Sequence, residues 1–214
     1  MTSRSEVLAA ARRLIDRHGW EKLTIRRLAA ELGIGPTTLY HHVRDREDLL
    51  LLLLNEYAGQ IPRPHLPDDP RARIVLAAVA LHDALAAWPW AAEVLTTDGF
   101  IAVMGEPALW TVETMVDGAT RAGCTPEQAV EVFRSIWYFT VGEILVRAHS
   151  ARARRDGTSH APERGFFSAL DAAQLPRLKA IGDTWAVVAA RDTYRPGVEA
   201  FVDGLLAQAS AALS

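Results

Sequence analysis

The sequence predicts an all-α protein with a small N-terminal three-helix unit and a larger C-terminal helical body. Three observations predict it. Apolar residues recur at spacings of three and four through most of the 214 residues. The alternating β-branched runs and tight turns that mark strands are nearly absent. Residues 61–70 hold four prolines, so they form neither regular helix nor an inner strand, and they divide the chain.

Each element follows in order. Val7, Leu8, Ala11, Leu14 and Ile15 make residues 3–18 one amphipathic helix, capped by Ser3 or Ser5 and ended by Gly19. Thr24 opens a second, short helix carrying Ile25, Leu28, Ala29 and Leu32, with Gly33 just past its end. Pro36 suits a first helical position and opens a third helix over 36–43. Asp45 caps a fourth, with Glu47 and Asp48 in the first turn, where the helix dipole favours acids. The six leucines 49–54 cover every side of that helix, so it is expected to be buried between head and body. Further helices are expected near 71–88, 105–122, 126–149, 174–191 and 196–212. Residues 150–162 are polar and Arg-rich and are expected to be a loop, the best candidate for local disorder. The expected organisation is a head, 1–46; a connecting helix, 47–60; a proline-rich linker, 61–70; and a body, 71–214.

Composition narrows the function. Hydrophobic residues make up 50% and charged residues 23%, which excludes disordered, collagen-like and disulfide-scaffold classes. The net charge of −3 hides an asymmetry: residues 1–46 carry nine basic and five acidic side chains, the remainder 14 and 21. A single cysteine, Cys124, excludes an internal disulfide and a Cys-cluster metal site. His41 and His42 are adjacent on a helix, point about 100° apart and are poorly placed to share one ion. No metal or cofactor is expected. The longest apolar run is far short of the ~20 residues a spanning helix needs, and no signal-peptide pattern is visible. The expected setting is cytoplasmic, with no membrane partner.

Residues 24–43 carry the functional signal. Two short helices flank a Gly-Ile-Gly turn, and small Ala29 sits where they must approach closely. Leu39 and Val43 point inward from the second of them. Outward stand Thr37, Thr38, His41 and Arg44, with Tyr40 and His42 at the edges and no acid among them. Arg26, Arg27, Arg44 and Arg46 bracket the segment and suit phosphate contact. An ordinary αα-hairpin is the plain alternative, but such a hairpin usually carries Glu/Lys pairs on its exposed face. The pattern is a helix-turn-helix whose second helix enters a major groove of duplex DNA. Thr37, Thr38, Tyr40 and His41 are the expected base or sugar contacts, and Arg26 the guanine reader, since its fork suits O6 and N7. Thr24, Arg27, His42, Arg44 and Arg46 are the expected phosphate contacts.

Residues 6–57 resemble the N-terminal domain of the tetracycline-repressor (TetR) family of bacterial transcription regulators. The resemblance runs through Gly19-Trp20-Glu21-Lys22-Leu23-Thr24, Leu39-Tyr40-His41-His42-Val43 and Asp45-Arg46-Glu47-Asp48-Leu49-Leu50. Tyr138-Phe139-Thr140-Val141-Gly142 and the stretch beginning at Val198 resemble the sensing domain of the tetracycline repressor itself. The resemblance implies a homodimeric repressor with a ligand-sensing, dimerising body, joined to its head by the fourth helix. It also implies a seam built from helices 126–149 and 196–212 and a palindromic operator. Val198, Phe201, Val202, Leu205, Leu206 and Ala209 form an apolar stripe for that seam. Tetracycline repressors hold a magnesium–drug chelate with histidines and a glutamate. The glutamate position, four residues past Gly142, is Val146 here, which argues against that ligand.

The body is rich in aromatics: Trp88, Trp90, Phe100, Trp110, Phe133, Trp137 and Phe167, with Met104 among them. Core packing explains any one of them. Yet His82, Thr97, Glu113, Thr114, Thr140 and Glu143 lie between them, and an apolar cavity with a few polar groups is what small-molecule sites look like. The expected ligand contacts are His82, Trp88, Phe100, Met104, Trp110, Thr114, Phe133, Trp137, Thr140, Glu143 and Phe167. The expected function is a DNA-binding repressor released by an apolar or aromatic small molecule. The alternative is a small helical enzyme or carrier acting on an apolar molecule, against which stands the lack of any nucleophile–base or metal-ligand spacing.

Overall fold

A computed structural model describes residues 2–96, 100–159 and 164–211, with the backbone alone at Phe100. The head begins with α1 (Arg4–His18). Ser3 and Glu6 form a reciprocal capping box: Ser3 Oγ accepts from Glu6 N–H at 3.2 Å, and Glu6 accepts from Ser3 N–H at 2.7 Å. A 3₁₀ turn (Trp20–Lys22) leads to α2 (Ile25–Leu32), whose N-cap Thr24 accepts from Arg27 N–H. Gly33 ends α2 at φ +65, a left-handed conformation favoured by glycine. There the Ile34 N–H donates to Ala29 and the Gly33 N–H to Ala30, the bonding of a Schellman motif.

α3 is Pro36–Leu39, shorter than the helix expected over 36–43. Beyond Leu39 the bonds from His41 to Thr38 and from His42 to Leu39 skip three residues rather than four. The last turn is therefore tightened, a common way for a helix to end. α4 (Arg46–Ala58) starts at Asp45, whose carboxylate accepts from Asp48 N–H at 2.7 Å.

The body contains α5 (Pro70–Ala87), α6 (Pro89–Val94), a 3₁₀ turn (Phe100–Val103), α7 (Glu106–Arg121), α8 (Pro126–Arg155), α9 (Pro176–Ile181), α10 (Thr184–Ala189) and α11 (Tyr194–Ala211). α5 packs against α7, α8 and α11. A Cβ at Gly118 of α7 would stand 2.7 Å from Ile74 and 2.9 Å from the Pro70 carbonyl, so α7 meets α5 there with no room for a larger residue. No strand occurs among the described residues, as expected.

Four expectations need correction. The helix expected to end at 149 runs to Arg155, so residues 150–155 of the expected loop are helical; residues 160–162 lie outside the described residues. The single helix expected over 174–191 is two short ones divided at Gly182. α6 is not among the expected helices, and Pro89 serves as its first residue. The apolar stripe on the last helix does not all face outward. Val198 and Val202 are fully buried within the single chain, against the α5–α8 core. The face left open on α8 and α11 instead presents Tyr138, Gly142, Val146, Ala200, Gly204 and Ala207.

Two cores result. The head core gathers Val7, Ala11, Leu14, Leu28, Leu39 and Val43 around Leu49, Leu50 and Leu53 of α4. The body core gathers Ile74, Ala78, Met115, Ile136 and Ile144, and Leu54 of α4 belongs to it. The leucine run of α4 is thus shared, with Leu52 packed toward the head and Leu51 toward the body.

Candidate nucleic-acid interface and effector cavities

The turn between α2 and α3 is pinned from behind. Leu28, Ala29, Leu39 and Val43 are buried, which fixes what remains outside. Thr24, Arg26, Thr37, Thr38, Tyr40, His41 and Arg44 are exposed, and Arg27 and His42 half-exposed. The structure brings these nine onto the surface of one head, as a DNA interface requires. Thr24 keeps its hydroxyl hydrogen free to donate, since its oxygen accepts at the cap. Arg44 reaches Asp48 with Nη2 at 3.0 Å yet stays 83% exposed. The Asp48 carboxyl is held below the usual carboxylate range, first by the Arg44 backbone N–H and then by its guanidinium.

Arg46 behaves differently from the other arginines. Its Nε donates to the Leu23 carbonyl at 2.8 Å and its Nη2 to the Trp20 carbonyl at 2.9 Å. Its guanidinium lies 5.1 Å from the Trp20 ring centre. Those bonds tie α4 to the α1–α2 connection, an occupation the charge pattern alone could not reveal.

The structure does not bring the expected ligand contacts together in one place. His82, Trp88 and Glu143 border a cavity of about 700 Å³ between head and body, lined also by Trp20 and Trp90. His82 Nε2 lies 3.0 Å from Glu143, and its ring stacks on Tyr194 at 3.7 Å. Burial pushes the Tyr194 phenol up to about 12. Phe167 lies elsewhere, with Trp185, in a crevice of about 1580 Å³ between α8 and the segment carrying α9 and α10; Glu143 touches that crevice too. Phe133, Trp137, Thr114 and Thr140 are buried in the body and border neither space. Thr114 bonds the Trp110 carbonyl, and Thr140 sits 2.7 Å from the Tyr194 hydroxyl. Met104 packs on the body core, and Trp110 faces Arg63. Glu113 is exposed, while Thr97 and the Phe100 side chain lie outside the described residues. Sequence reasoning left Trp20 and Glu93 out of the site, although Trp20 Nε1 donates to Glu93 at 2.7 Å across the head–body cleft.

A further cavity of about 650 Å³ lies under the proline linker along α5, next to Trp88. Cys124 is buried, and burial pushes its thiol up, away from the reactive thiolate. Among the described residues no group of three metal-ligating side chains occurs, and no helix is long and apolar enough to cross a membrane.

Comparison with known proteins agrees with this geometry. Residues 7–53 match the model of bacterial regulatory proteins of the tetR family, and residues 63–209 that of the tetracyclin repressor-like C-terminal domain. The chain is 29% identical over 205 residues to the class A tetracycline repressor protein of transposon 1721 from Escherichia coli, covering 93% of this chain and 88% of that one. It is also 29% identical over 207 residues to the transcriptional repressor DrrR1 of Streptomyces coeruleorubidus, covering 93% and 73%. Among solved structures, ActR of Streptomyces coelicolor in complex with actinorhodin superposes with a TM-score of 0.78 at 23% identity, over 99% of this chain and 98% of that one. BioQ with its double-stranded DNA operator superposes with a TM-score of 0.61 at 25% identity, over 84% and 99%.

Proposed function

Because the chain belongs to the TetR family of bacterial regulators, we propose that it is a transcriptional repressor that a small molecule releases from its operator. The observation that carries this is the exposed, acid-free face of residues 37–44, set on a buried Leu28–Leu39–Val43 base. Thr37, Thr38, Tyr40 and His41 are the proposed base or sugar contacts, and Arg26 the guanine reader. Thr24, Arg27, His42 and Arg44 are the proposed phosphate contacts. Arg46 moves from that set to holding the head together, given its two carbonyl bonds.

Dimerisation is the family's arrangement, and the open face of α8 and α11 supports it here. Exposed Gly142 and Gly204 allow helices of a second copy to approach closely. Two heads then read a palindrome with half-site centres about one helical turn, roughly 34–36 Å, or a multiple of it, apart. The relatives are repressors, and no observation favours the enzyme or carrier alternative. A cytoplasmic location is part of the same proposal.

The effector is proposed to be apolar or aromatic, with His82, Trp88 and Glu143 retained as contacts. Burial among core side chains assigns Phe133, Trp137, Thr114 and Thr140 to packing instead. The proposal is tested by a gel shift on duplex from the protein's own upstream region. Retardation of that duplex, but not of a scrambled one, is expected.

A further inference from the structure

Residues 47–214 are acidic on balance, yet the C-terminal end of α8 is basic. Arg152, Arg154 and Arg155 lie in its last turn and are exposed. Arginines there complement the helix dipole, which accounts for the residue type but not for where this end stands. α8 is 30 residues long, about 45 Å, and its last turn lies beside the head. Arg152 Nη1 stands 3.9 Å from Glu21 of the 3₁₀ turn Trp20–Lys22. Arg155 follows three residues later on the same face and borders the cleft that Gly19, Trp20 and Glu21 border from the head side.

Elsewhere in the body Arg71, Arg73, Arg121, Arg147 and Arg195 pair with carboxylates. Arg155 has no carboxylate partner among the described residues. Arg152 has two loose ones, Glu21 at 3.9 Å and Asp156 at 3.8 Å, and its side chain stays 66% exposed.

The head meets this end with cations of its own. Lys22 is exposed and makes no ion pair among the described residues. His18 is held below the ordinary histidine range, first by desolvation and then by Arg27, Arg17 and Lys22, so these cations stand together. Arg27 and Thr24 are proposed phosphate contacts, and Thr24 follows Glu21 by three residues, at most about 11 Å of chain. A row of cations therefore runs from Arg27 past His18 and Lys22 onto Arg152 and Arg155. Of the acids along it, Glu31 binds Arg17, Glu21 and Asp156 face Arg152, and Asp16 lines the cleft.

We propose that Lys22, Arg152 and Arg155 carry the DNA interface onto the body, as phosphate contacts to duplex beside the bases that α3 reads. The inference rests on the regulator reading above and adds a surface to it. Guanidinium forks match phosphate oxygens, and Arg152 exchanges its loose carboxylate contacts for them. Phosphates carry no sequence, so the row adds affinity and leaves selectivity to the head. Because Lys22 belongs to the head and the arginines to the body, a strand bound along the row also ties the two together.

The test uses the full-length protein and a labelled duplex from its own upstream region, the palindrome with about ten base pairs of flank at each end. Anisotropy titrations at several salt concentrations compare wild type with Arg152→Ala/Arg155→Ala. The slope of log affinity against log salt should become shallower by about 0.9 for each lost contact, about 1.8 per bound chain. The ratio of operator to scrambled duplex should stay unchanged. Arg152→Lys/Arg155→Lys keeps the charges and should keep most of the slope. Arg121→Ala removes a charge beside the far end of α8 and should leave the slope alone. A role confined to the helix dipole would shift the urea midpoint and not the slope. Should the double variant fail to fold, Arg155→Ala decides alone, since that side chain has no ion pair to lose. A wild-type slope in the folded Arg→Ala variant, or an equal loss in Arg121→Ala, overturns the inference and leaves the regulator reading standing. Equal wild-type affinity for operator and scrambled duplex, with the slope still falling in the variant, would overturn the regulator reading and leave the phosphate row in place.

Discussion

Arg26 and Arg46 carry the same charge, and their surroundings give them different work. Arg26 stands exposed at the start of α2, while Arg46 is half-buried with two backbone carbonyls to satisfy. Arg26→Ala is expected to cost about 1–3 kcal/mol of operator affinity and to relax preference at one base pair. Anisotropy titrations against single-base operator variants would show this as a flattened profile at one position only. Arg46→Ala should instead lower folding stability by about 1–3 kcal/mol, by leaving the Leu23 and Trp20 carbonyls unpaired. Urea melts measure that loss, and an unchanged salt slope of DNA binding would accompany it, whereas a reduced slope would restore Arg46 to the phosphate contacts. Tyr194 gives a pH signature. Its folded pKa of about 12 lies above the ordinary tyrosine value, so the folded state holds the proton more tightly. The resulting stability is fully present below about pH 10 and is lost as pH rises toward 12. Chemical denaturation across that window should show a decline of roughly 2–3 kcal/mol that is flattened in Tyr194→Phe; equal slopes in both proteins would contradict the assignment.

At the scale of elements, what was legible in the sequence is what local chemistry decides. Ser3 (left open against Ser5 in the sequence), Thr24, Gly33 and Asp45 mark helix ends through bonds to near neighbours, and the head follows from them. The body is less legible because its faces are chosen by partners far along the chain. Val198 and Val202 lie on the same stripe as Leu205, yet only packing on α5 and α8 shows that they turn inward. Trp137 and Phe133 read as cavity or core alike until their burial is known. The interface residues were visible as an acid-free exposed face, whereas the Trp20–Glu93 bond joins residues 73 positions apart and has no local signal. α4 shows both regimes. Its leucines announce burial, but only the structure divides them into Leu52 toward the head and Leu51 toward the body. If α4 transmits the effector signal, Leu51→Ala should reduce the effect of an operator-releasing small molecule on operator affinity, out of a coupling of typically ~1–3 kcal/mol. Leu52→Ala should change it less, and the reverse order in paired titrations would remove α4 from the pathway. Gly118→Ala should lower stability by about 1–3 kcal/mol, because the added carbon meets the Pro70 carbonyl; a thermal midpoint equal to wild type would refute that close contact.

At the scale of the whole molecule, the chain places a basic head on an acidic body, nine basic and five acidic residues against 14 and 21. The head is drawn to a polyanion while the body is repelled by it, which orients the molecule as it approaches DNA. The proposed pairing through α8 and α11 would join two such heads, and a pair of heads can distinguish a palindrome from a single half-site. The central claim is that paired heads recognise a specific operator. A direct test is a stoichiometric titration of the full-length protein onto a labelled palindromic duplex from its own upstream region, repeated at several salt concentrations. The account predicts saturation at a multiple of two chains per duplex, affinity falling steeply with salt, and preference of at least about a thousandfold over a scrambled duplex of equal length. Saturation by single chains, or equal affinity for the scrambled duplex, would contradict it.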